Sequence, residues 1–373
     1  MTLPRDAEFD VAVVGGGIHG AGVARAAQQA GLRTLLIERH EWAAATSRSS
    51  SKLIHGGLRY LETGQINLVY HSLRERQRLF REEPALVKPT RFFIPIYRDS
   101  QRRPWQIRAG LSLYALLCGL RPQGWFRSVP RSQWQTLEGL RQHDLQAVFQ
   151  YWDGQTDDCA LTRAVATQAE QAGAQCLQRT EFLAAHFEQD AYVLDLQTHD
   201  ENWQCRARHL VNAAGPWVND VLLRCNPAPP QRAISWVKGS HIVVSAPSLP
   251  GIFYLEAEDG RAVFVMPWQG RTLIGTTEQI VQKPETTPSQ AEIDYLLATA
   301  RHYFPRMALQ VESSFAGVRV LPRSDEQPFS RPRDSVLTCQ RTGHSALVSI
   351  YGGKLTTFRH TAAQVLALLP PRS

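Results

Sequence analysis

The sequence predicts an α/β fold in which a nucleotide-binding domain carries an inserted antiparallel sheet. Three observations support this prediction. A strand, a glycine-rich turn, a helix and a second strand follow one another between Asp10 and Glu38. A run of short strands with polar turns follows residue 235, and a strand, a glycine pair and a helix close the chain. The 373 residues suffice for one composite domain or two intertwined ones.

The first element is the βαβ unit in "DVAVVGGGIHGAGVARAAQQAGLRTLLIE". Gly15, Gly17 and Gly20 form GxGxxG, which allows a tight turn, an approach of the backbone to pyrophosphate and close packing of helix on strand. The N-terminus of the helix then offers N–H groups to phosphates. Glu38 follows at the end of the second strand, where a carboxylate can hold a ribose hydroxyl. We therefore predict a dinucleotide-binding Rossmann-like unit.

A second phosphate-type strand end occurs in "ARHLVNAAGPWVNDVLL", where an apolar strand runs into Gly215 and a helix. The periodicity leaves open whether the chain binds two nucleotides or one long cofactor touched twice.

The inserted sheet comprises "SHIVVSA", "GIFYLE", "AVFVMPW" and "TLIGTTE", which alternate with polar turns. A helix is predicted over residues 288–305. Ser289 and Glu292 form its capping box, and Ile293, Leu296, Leu297 and Ala300 share its apolar face.

The last motif is Gly352-Gly353-Lys354, between an apolar strand and the terminal helix. The glycines would let a flat ring approach the backbone, and Lys354 with the helix N-terminus would place positive charge beside that ring. The residues alone leave this interpretation level with a simple turn that carries a solvated lysine.

Composition narrows the class of protein. The 41 Lys and Arg against 34 Asp and Glu give a net charge of +7, which suits an acidic small molecule, but no nucleic-acid module is present and we expect no nucleic-acid partner. The six cysteines lack metal-ligand spacing, so we expect no metal and a reduced, cytoplasmic protein. The N-terminal residues lack the apolar core of a secretory signal. No apolar run reaches the length of a membrane span.

Three further side chains are candidates for anion binding or proton transfer, namely Arg59, His241 and Arg319. Each one alone is more simply explained as an ordinary surface or sheet residue. No GxSxG, HExxH or P-loop lysine supports a hydrolase or a kinase.

Six strings then occur in the order seen in one family: "VGGGIHGAG", "SSKLIHGGLRYLE", "NAAGPWVND", "KGSHIVV", "AGVR" and "GGKLTTFR". From about residue 9 onward the chain resembles the FAD-dependent glycerol-3-phosphate dehydrogenases. The resemblance implies an FAD-binding domain of the glutathione-reductase and D-amino-acid-oxidase type with an inserted substrate domain. It also implies one extended FAD touched several times, rather than two nucleotides.

By this resemblance the FAD pyrophosphate lies on the segment from Gly15 through Gly17 and Ile18 to Gly20, and the adenosine ribose on Glu38. The residues implied beside the flavin are Thr46, Ser47, Ser50, Ser51, Lys52, Leu53, Gly215, Gly353, Lys354, Leu355 and Thr356. The implied substrate-binding and catalytic residues are Arg59, His241, Arg319 and Lys354, with the arginines assigned to the phosphate or to substrate alignment and His241 as proton acceptor.

The implied reaction oxidises sn-glycerol 3-phosphate to dihydroxyacetone phosphate by hydride transfer from C2 to flavin N5. Electrons would pass to a quinone or another acceptor, with peripheral contact at the inner face of the cytoplasmic membrane, for which residues 107–120 are the first candidate. A homodimer is compatible with the resemblance. Two alternatives remain: an FAD-dependent oxidase or dehydrogenase of another 2-hydroxy acid or an amine, and a flavin-binding subunit without catalysis.

The expected domain division follows from the same order of motifs. The cofactor domain takes residues 1–90, 140–235 and 310–373, and the substrate domain takes residues 91–139 and 236–309. The helical C-terminal domain of the family is expected to be absent.

Overall fold

The computed structural model describes residues 7–198, 201–246, 249–323 and 334–371. The α-helices are Ile18–Gln29 (α1), Ile66–Glu82 (α2), Pro104–Leu117 (α3), Asp158–Gln171 (α4), Val218–Leu223 (α5), Gln290–Tyr303 (α6) and Phe358–Leu368 (α7). The strands are Ala7–Val14 (β1), Thr34–Ile37 (β2), Leu53–Ile54 (β3), Val87–Tyr97 (β4), Phe126–Ser128 (β5), Leu145–Thr156 (β6), Gln175–Leu177 (β7), Glu181–Glu188 (β8), Ala191–Gln197 (β9), Asn202–Asn212 (β10), Cys225–Asn226 (β11), Ile234–Ser245 (β12), Ile252–Glu256 (β13), Ala262–Trp268 (β14), Arg271–Gly275 (β15), Gln279–Val281 (β16), Gln310–Pro322 (β17), Val336–Thr342 (β18) and Ser345–Tyr351 (β19).

The nine-stranded sheet contains the predicted βαβ unit. β1 lies between β10 and β2, parallel to both, and β7 follows β2. The other edge of β10 pairs with β9 along its first half and with β19 along its second half. Because β19 comes from the end of the chain, this sheet joins distant parts of the sequence, as predicted for the nucleotide-binding fold.

Helix α1 packs on this sheet and against α4 and α7, and its small residues allow a close approach. Ala21, Ala24 and Ala27 are fully buried in the core. A Cβ on Gly22 would lie 2.6 Å from the ring of Phe358 in α7, so the two helices meet at a position without a side chain.

The ten-stranded sheet is antiparallel apart from one parallel pair, between β13 and β4, and it contains the predicted inserted strands in the order β12-β15-β14-β13. Helix α6 covers one face of this sheet with its apolar residues, among which Leu296 and Ala300 are fully buried. The capping box is present: Ser289 Oγ accepts from Glu292 N, and Glu292 Oε2 accepts from Ser289 N at 2.9 Å.

Besides the two-residue β3, two longer strands that the predicted boundaries assign to the cofactor domain belong to the ten-stranded sheet. β6 pairs with β4 along its whole length, and β17 pairs with β12. Strand periodicity shows that a segment is extended but does not identify its partner, so the sequence could not assign these two strands. The division of the chain into two domains therefore remains a prediction.

In the part of the chain that the structure describes, no helix is both long and apolar enough to cross a membrane.

Candidate active site

A cavity of about 600 Å³ is lined by residues from both sheets and from the loops that connect them. It brings together most of the residues selected from the sequence. Those that line it are Gly15, Gly17, Ile18, Glu38, Thr46, Ser47, Ser50, Ser51, Leu53, Arg59, Gly215, His241, Arg319, Gly353, Lys354, Leu355 and Thr356. Gly20 and Lys52 are not among the lining residues, and both have packing roles described below.

One part of the cavity is a glycine turn between β1 and α1. Gly15 has φ +112°, and a Cβ there would lie 2.6 Å from the carbonyl oxygen of Ala213. A Cβ on Gly20 would collide with the carbonyl oxygen of Gly15, so Gly20 permits the helix to pack on the turn. Gly17 is the N-cap of α1 and supplies no side-chain hydrogen bond. This turn suits an anionic group because it precedes the N-terminus of α1, whose first turn contains no acidic residue.

Glu38 lies at the end of β2 beside this turn. Its Oε2 accepts a hydrogen bond from Gly16 N at 2.7 Å, and its Oε1 accepts one from His40 N at 2.9 Å. The carboxylate is therefore fixed next to the glycine turn, and its role as a ribose ligand remains a prediction.

The serine-rich segment that follows β2 runs along the cavity. Ser47 Oγ accepts from Ile18 N at 2.9 Å, and Thr46 Oγ1 donates to Val318 O at 2.7 Å. The side chain of Lys52 points away from the cavity, where its Nζ pairs with the buried carboxylate of Asp158 at 2.7 Å. The position of Lys52 beside a flavin thus remains a prediction. Because its side chain is paired with Asp158, Lys52 could contact a flavin only through its backbone.

The turn between β19 and α7 supplies another wall. Gly353 has φ +104°, and a Cβ on it would collide with the ring of His19. Lys354 Nζ lies 3.9 Å from the ring centroid of Tyr60. Thr356 Oγ1 accepts from His55 N at 3.3 Å, which ties this turn to the segment that carries Arg59.

His241 and Arg319 come from the paired strands β12 and β17. His241 Nε2 lies 3.0 Å from Ser51 Oγ, and its ring stacks on Phe315 with centroids 4.9 Å apart. Burial, together with the positive charges of Lys52 and Arg319, lowers the pKa of His241 to about 3. The imidazole is therefore neutral at physiological pH, and its protonated form is unfavourable unless negative charge forms beside it.

The two arginines have partners within the site. Arg319 Nη1 lies 3.6 Å from Glu278 Oε1, and the guanidinium of Arg59 lies 5.2 Å from the ring centroid of Tyr60. A guanidinium held in this way keeps its charge and can still bind a phosphate that enters the cavity.

Sequence reasoning missed four residues at or beside this cavity. His19 lies within the glycine motif, between Ile18 and Gly20, and burial lowers its pKa to about 4. Tyr254 and Arg261 line the cavity from the inserted sheet, and burial raises the pKa of Tyr254 to about 12, so its hydroxyl can act as a donor. Asp158 anchors the serine segment. The sequence signal for Asp158 was the pair of successive aspartates in "TDDCALT". One aspartate is enough to cap the helix, so the other is available for a different contact.

Comparisons with known proteins agree on one class. Residues 10–359 match the family described as FAD dependent oxidoreductase. The chain is 39% identical to the glycerol-3-phosphate dehydrogenase of Pseudomonas aeruginosa, with 97% of this chain and 72% of that protein covered. It is 36% identical to the D-erythritol 1-phosphate dehydrogenase of Brucella abortus, with 95% and 72% covered.

Solved structures show the same similarity. The glycerol-3-phosphate dehydrogenase of Bacillus halodurans complexed with FAD superposes with a TM-score of 0.74 at 28% identity. That superposition covers 98% of this chain and 66% of the other. The glycine oxidase of Geobacillus kaustophilus, at 20% identity and a TM-score of 0.70, covers 97% of this chain and 94% of its own and shares the fold.

Proposed function

The chain belongs to the FAD dependent oxidoreductase family, and from this premise we propose that it oxidises sn-glycerol 3-phosphate to dihydroxyacetone phosphate. The observation that carries the proposal is the composition of the cavity. One space is lined by a glycine turn suited to pyrophosphate, by cationic side chains that include Arg59, Arg319 and Lys354, and by a neutral His241. A phosphorylated alcohol needs both a cationic binding site and a proton acceptor.

The cavity fits FAD. The glycine turn at Gly15 to Gly20 would hold the pyrophosphate, Glu38 the ribose, and the serine segment with Gly353 and Lys354 would border the ring. Gly353 lines the cavity without a side chain, and a Cβ on it would collide with His19, so a larger residue there would have to displace the wall of the site. When bound, FAD would supply the acceptor for the hydride that leaves C2 of the substrate.

The protein's own residues would bind the substrate and remove its proton. Arg319 and Arg59 would hold the phosphate, and Lys354 would stabilise negative charge that develops on the substrate oxygen. His241 Nε2 would accept the proton of the C2 hydroxyl, which requires the tautomer with its hydrogen on Nδ1. Because Ser51 Oγ is 3.0 Å from Nε2, Ser51 either relays this proton or yields its place to the substrate hydroxyl.

The decisive experiment mixes the purified yellow protein with sn-glycerol 3-phosphate without oxygen and follows the loss of flavin absorbance. Arg319→Ala should retain FAD and lower the second-order rate of reduction at least about 30-fold, because truncation of one partner of a charged contact costs about 2 kcal/mol or more. Arg323→Ala is the matched control, since Arg323 is exposed and four positions further along the chain. A flavin that sn-glycerol 3-phosphate does not bleach would contradict the proposal.

The similarity to a D-erythritol 1-phosphate dehydrogenase favours a second candidate substrate, a longer polyol phosphate. The same cationic side chains would hold its phosphate. Parallel reductions with sn-glycerol 3-phosphate, D-erythritol 1-phosphate, a 2-hydroxy acid and glycine compare these options in one assay. The largest kcat/KM identifies the substrate class, and no reduction by any donor would favour a non-catalytic flavin subunit.

For the electron acceptor we propose a membrane quinone, reached by contact of the α3 region with an anionic bilayer. Four large apolar side chains in this region are more than half exposed: Trp105, Leu116, Leu120 and Trp125. Trp105 and Leu116 are eleven residues apart and share one face of α3. Four exposed arginines lie in the same segment: Arg103, Arg108, Arg121 and Arg127. Apolar side chains among cationic ones suit an anionic lipid surface.

Co-sedimentation with lipid vesicles tests this contact. The protein should bind vesicles that contain phosphatidylglycerol and bind purely zwitterionic vesicles at least tenfold more weakly. Trp105→Ser combined with Trp125→Ser should abolish binding, whereas Leu223→Ser, at an equally exposed position elsewhere, should not. Equal binding by the double variant and wild type would contradict the contact.

A further inference from the structure

We propose that Asp158 is a positioning residue that holds Ser51 against His241, so that proton transfer to His241 depends on it. The inference rests on the proposed function, because it concerns the proton acceptor of that reaction. Asp158 does not line the main cavity, and it would act through the serine segment.

The carboxylate of Asp158 is fully buried and accepts four hydrogen bonds. Its Oδ2 accepts from Ser50 N at 2.9 Å and from Ser50 Oγ at 2.7 Å. Its Oδ1 accepts from Lys52 Nζ at 2.7 Å and from Cys159 N at 2.8 Å. Three of these four bonds come from the two residues that flank Ser51. One carboxylate thus fixes the chain on both sides of Ser51.

Helix α4 does not need Asp158 as a cap. The N-cap is Asp157, whose Oδ1 accepts from Ala160 N at 2.9 Å. A second carboxylate at a buried position is unfavourable unless it is paired and hydrogen-bonded. All but one of the bonds to Asp158 come from a segment more than one hundred positions earlier in the chain. Asp158 therefore serves the serine segment rather than its own helix.

The conformation of Lys52 supports this interpretation. Lys52 has φ +59°, in the left-handed region that residues other than glycine rarely adopt. Such a conformation persists where surrounding contacts hold it. Its Nζ is held by Asp158 and by the carbonyl oxygen of Arg48 at 2.6 Å. In the arrangement in which Ser50 and Lys52 are bonded to Asp158, the hydroxyl of Ser51 lies 3.0 Å from His241 Nε2.

A second path also leads from Asp158 to His241. Lys52 Nζ lies 5.0 Å from the ring centroid of Phe315 and 5.6 Å from that of Trp268. Phe315 in turn stacks on His241. The position of Lys52, which Asp158 fixes, therefore bears on the imidazole through the Phe315 ring as well as through Ser51.

The test compares Asp158→Asn with Asp157→Asn, a matched control with the same charge change one position earlier. Asparagine caps a helix as well as aspartate does, so Asp157→Asn should behave like wild type. Asp158→Asn should bind FAD, keep the substrate dissociation constant within twofold, and lower the limiting rate of anaerobic flavin reduction at least tenfold. A residue that only stabilised the fold would not separate the rate from substrate binding in this way.

A second measurement does not depend on turnover. In protein labelled with ¹⁵N-histidine, the His241 Nε2 signal can be assigned by its absence in His241→Gln. This signal should shift in Asp158→Asn and in Ser51→Ala, and it should stay at the wild-type position in Asp157→Asn.

Combined variants show whether Asp158 acts through Ser51. When Ser51→Ala is already present, Asp158→Asn should slow flavin reduction by much less than the tenfold that it costs in wild type, because residues that act largely through one contact are not additive. Ser50→Ala removes one bond to Asp158 and leaves the ion pair with Lys52 intact. Ser50→Ala should lower the limiting rate of flavin reduction about threefold. If Asp158→Asn does not fold, this variant tests the role of Asp158 in its place.

The outcomes separate the two proposals. If sn-glycerol 3-phosphate does not reduce the wild-type flavin, the proposed function fails, while the histidine signal still tests the contact. If the wild-type flavin is reduced and Asp158→Asn matches wild type in both the rate of reduction and the histidine signal, the role of Asp158 is overturned. If Asp158→Asn does not fold, the same result for Ser50→Ala overturns it. Multiplied rate losses in the combined variant would overturn it too.

Discussion

At the scale of single residues, two positions of the site depend on space that only glycine leaves. Gly353 combines φ +104° with contact to His19, so a methyl group there is both strained and obstructed. Gly353→Ala should therefore lower FAD affinity at least tenfold, measured as the flavin retained after dialysis. Gly270→Ala is the matched control, because Gly270 has φ +74° but no atom near its missing Cβ. Loss of FAD in both variants would show that backbone strain alone lowers FAD affinity, without the collision with His19.

His241 gives a second prediction at this scale. Its folded pKa of about 3 lies below the ordinary value of 6.5, so the imidazole remains neutral down to about pH 4. Flavin reduction should thus show no decline from His241 protonation between pH 7 and pH 5, measured by stopped flow. His241→Gln should lower the limiting rate at least about 100-fold, as expected for removal of a general base. A rate that falls in wild type with an apparent pKa near 6.5 would contradict this assignment.

At the scale of elements, helix α6 is joined to the strand that carries His241. Glu292 Oε1 accepts from Ser240 Oγ and Thr277 Oγ1, both at 2.8 Å, and its Oε2 pairs with Lys238 Nζ at 2.9 Å. Burial alone would raise the pKa of Glu292, but hydrogen bonds from Ser289, Lys238, Thr277 and Ser240 outweigh it and lower the pKa to about 2. Glu292, which belongs to the capping box of α6, thus also binds Ser240, the residue before His241.

Glu292→Gln should lower the free energy of unfolding at pH 7 by about 3 kcal/mol, because it leaves the buried Lys238 without its partner carboxylate. The contribution of a carboxylate with a lowered folded pKa is complete above its unfolded pKa and is lost as the pH falls through the folded value. The difference from wild type should therefore shrink between pH 4.5 and about 2 in urea titrations. Asp294→Asn, on the exposed side of α6, should show no such difference. A constant difference across this range would contradict the assignment.

At the scale of the whole molecule, a strand of the ten-stranded sheet packs on the core of the nine-stranded sheet at the site. β17 is hydrogen-bonded to β12 in the ten-stranded sheet, while its Val320 packs in a core with Tyr351 and Val14 of the nine-stranded sheet. Arg319, next to Val320, lines the cavity. We therefore expect the two sheets to depend on each other's folding.

Phe253→Ala tests this dependence. Phe253 is fully buried in the ten-stranded sheet, stacked on Phe93 and in edge contact with Phe304. Its truncation should cost about 3–5 kcal/mol. The loss of far-UV circular dichroism and the release of flavin fluorescence should move to lower temperature together, in a single transition. Leu223→Ala, at an exposed position, should leave both unchanged. Flavin release at the wild-type temperature in Phe253→Ala would show that the sheets unfold separately.

The local elements were predictable because their signals lie close together in the sequence. The βαβ unit and the Ser289–Glu292 capping box each depend on spacings within one helix or turn, and the structure confirms both. The orientation of Lys52 was not predictable, because its partner Asp158 is more than one hundred positions away. The same reason applies to the membership of β6 and β17 in the ten-stranded sheet.

By itself the sequence determined the glycine turns, the helix caps, the apolar strands and, through its ordered motifs, the family and its FAD cofactor. Only the tertiary structure decided which side chains face the cavity, which strands pair, and that a buried carboxylate fixes the serine segment. The physical reason is the range of the interactions involved. Backbone conformation and capping are set by near neighbours, whereas burial, ion pairing and the pKa of His241 depend on residues that only the folded chain brings into contact.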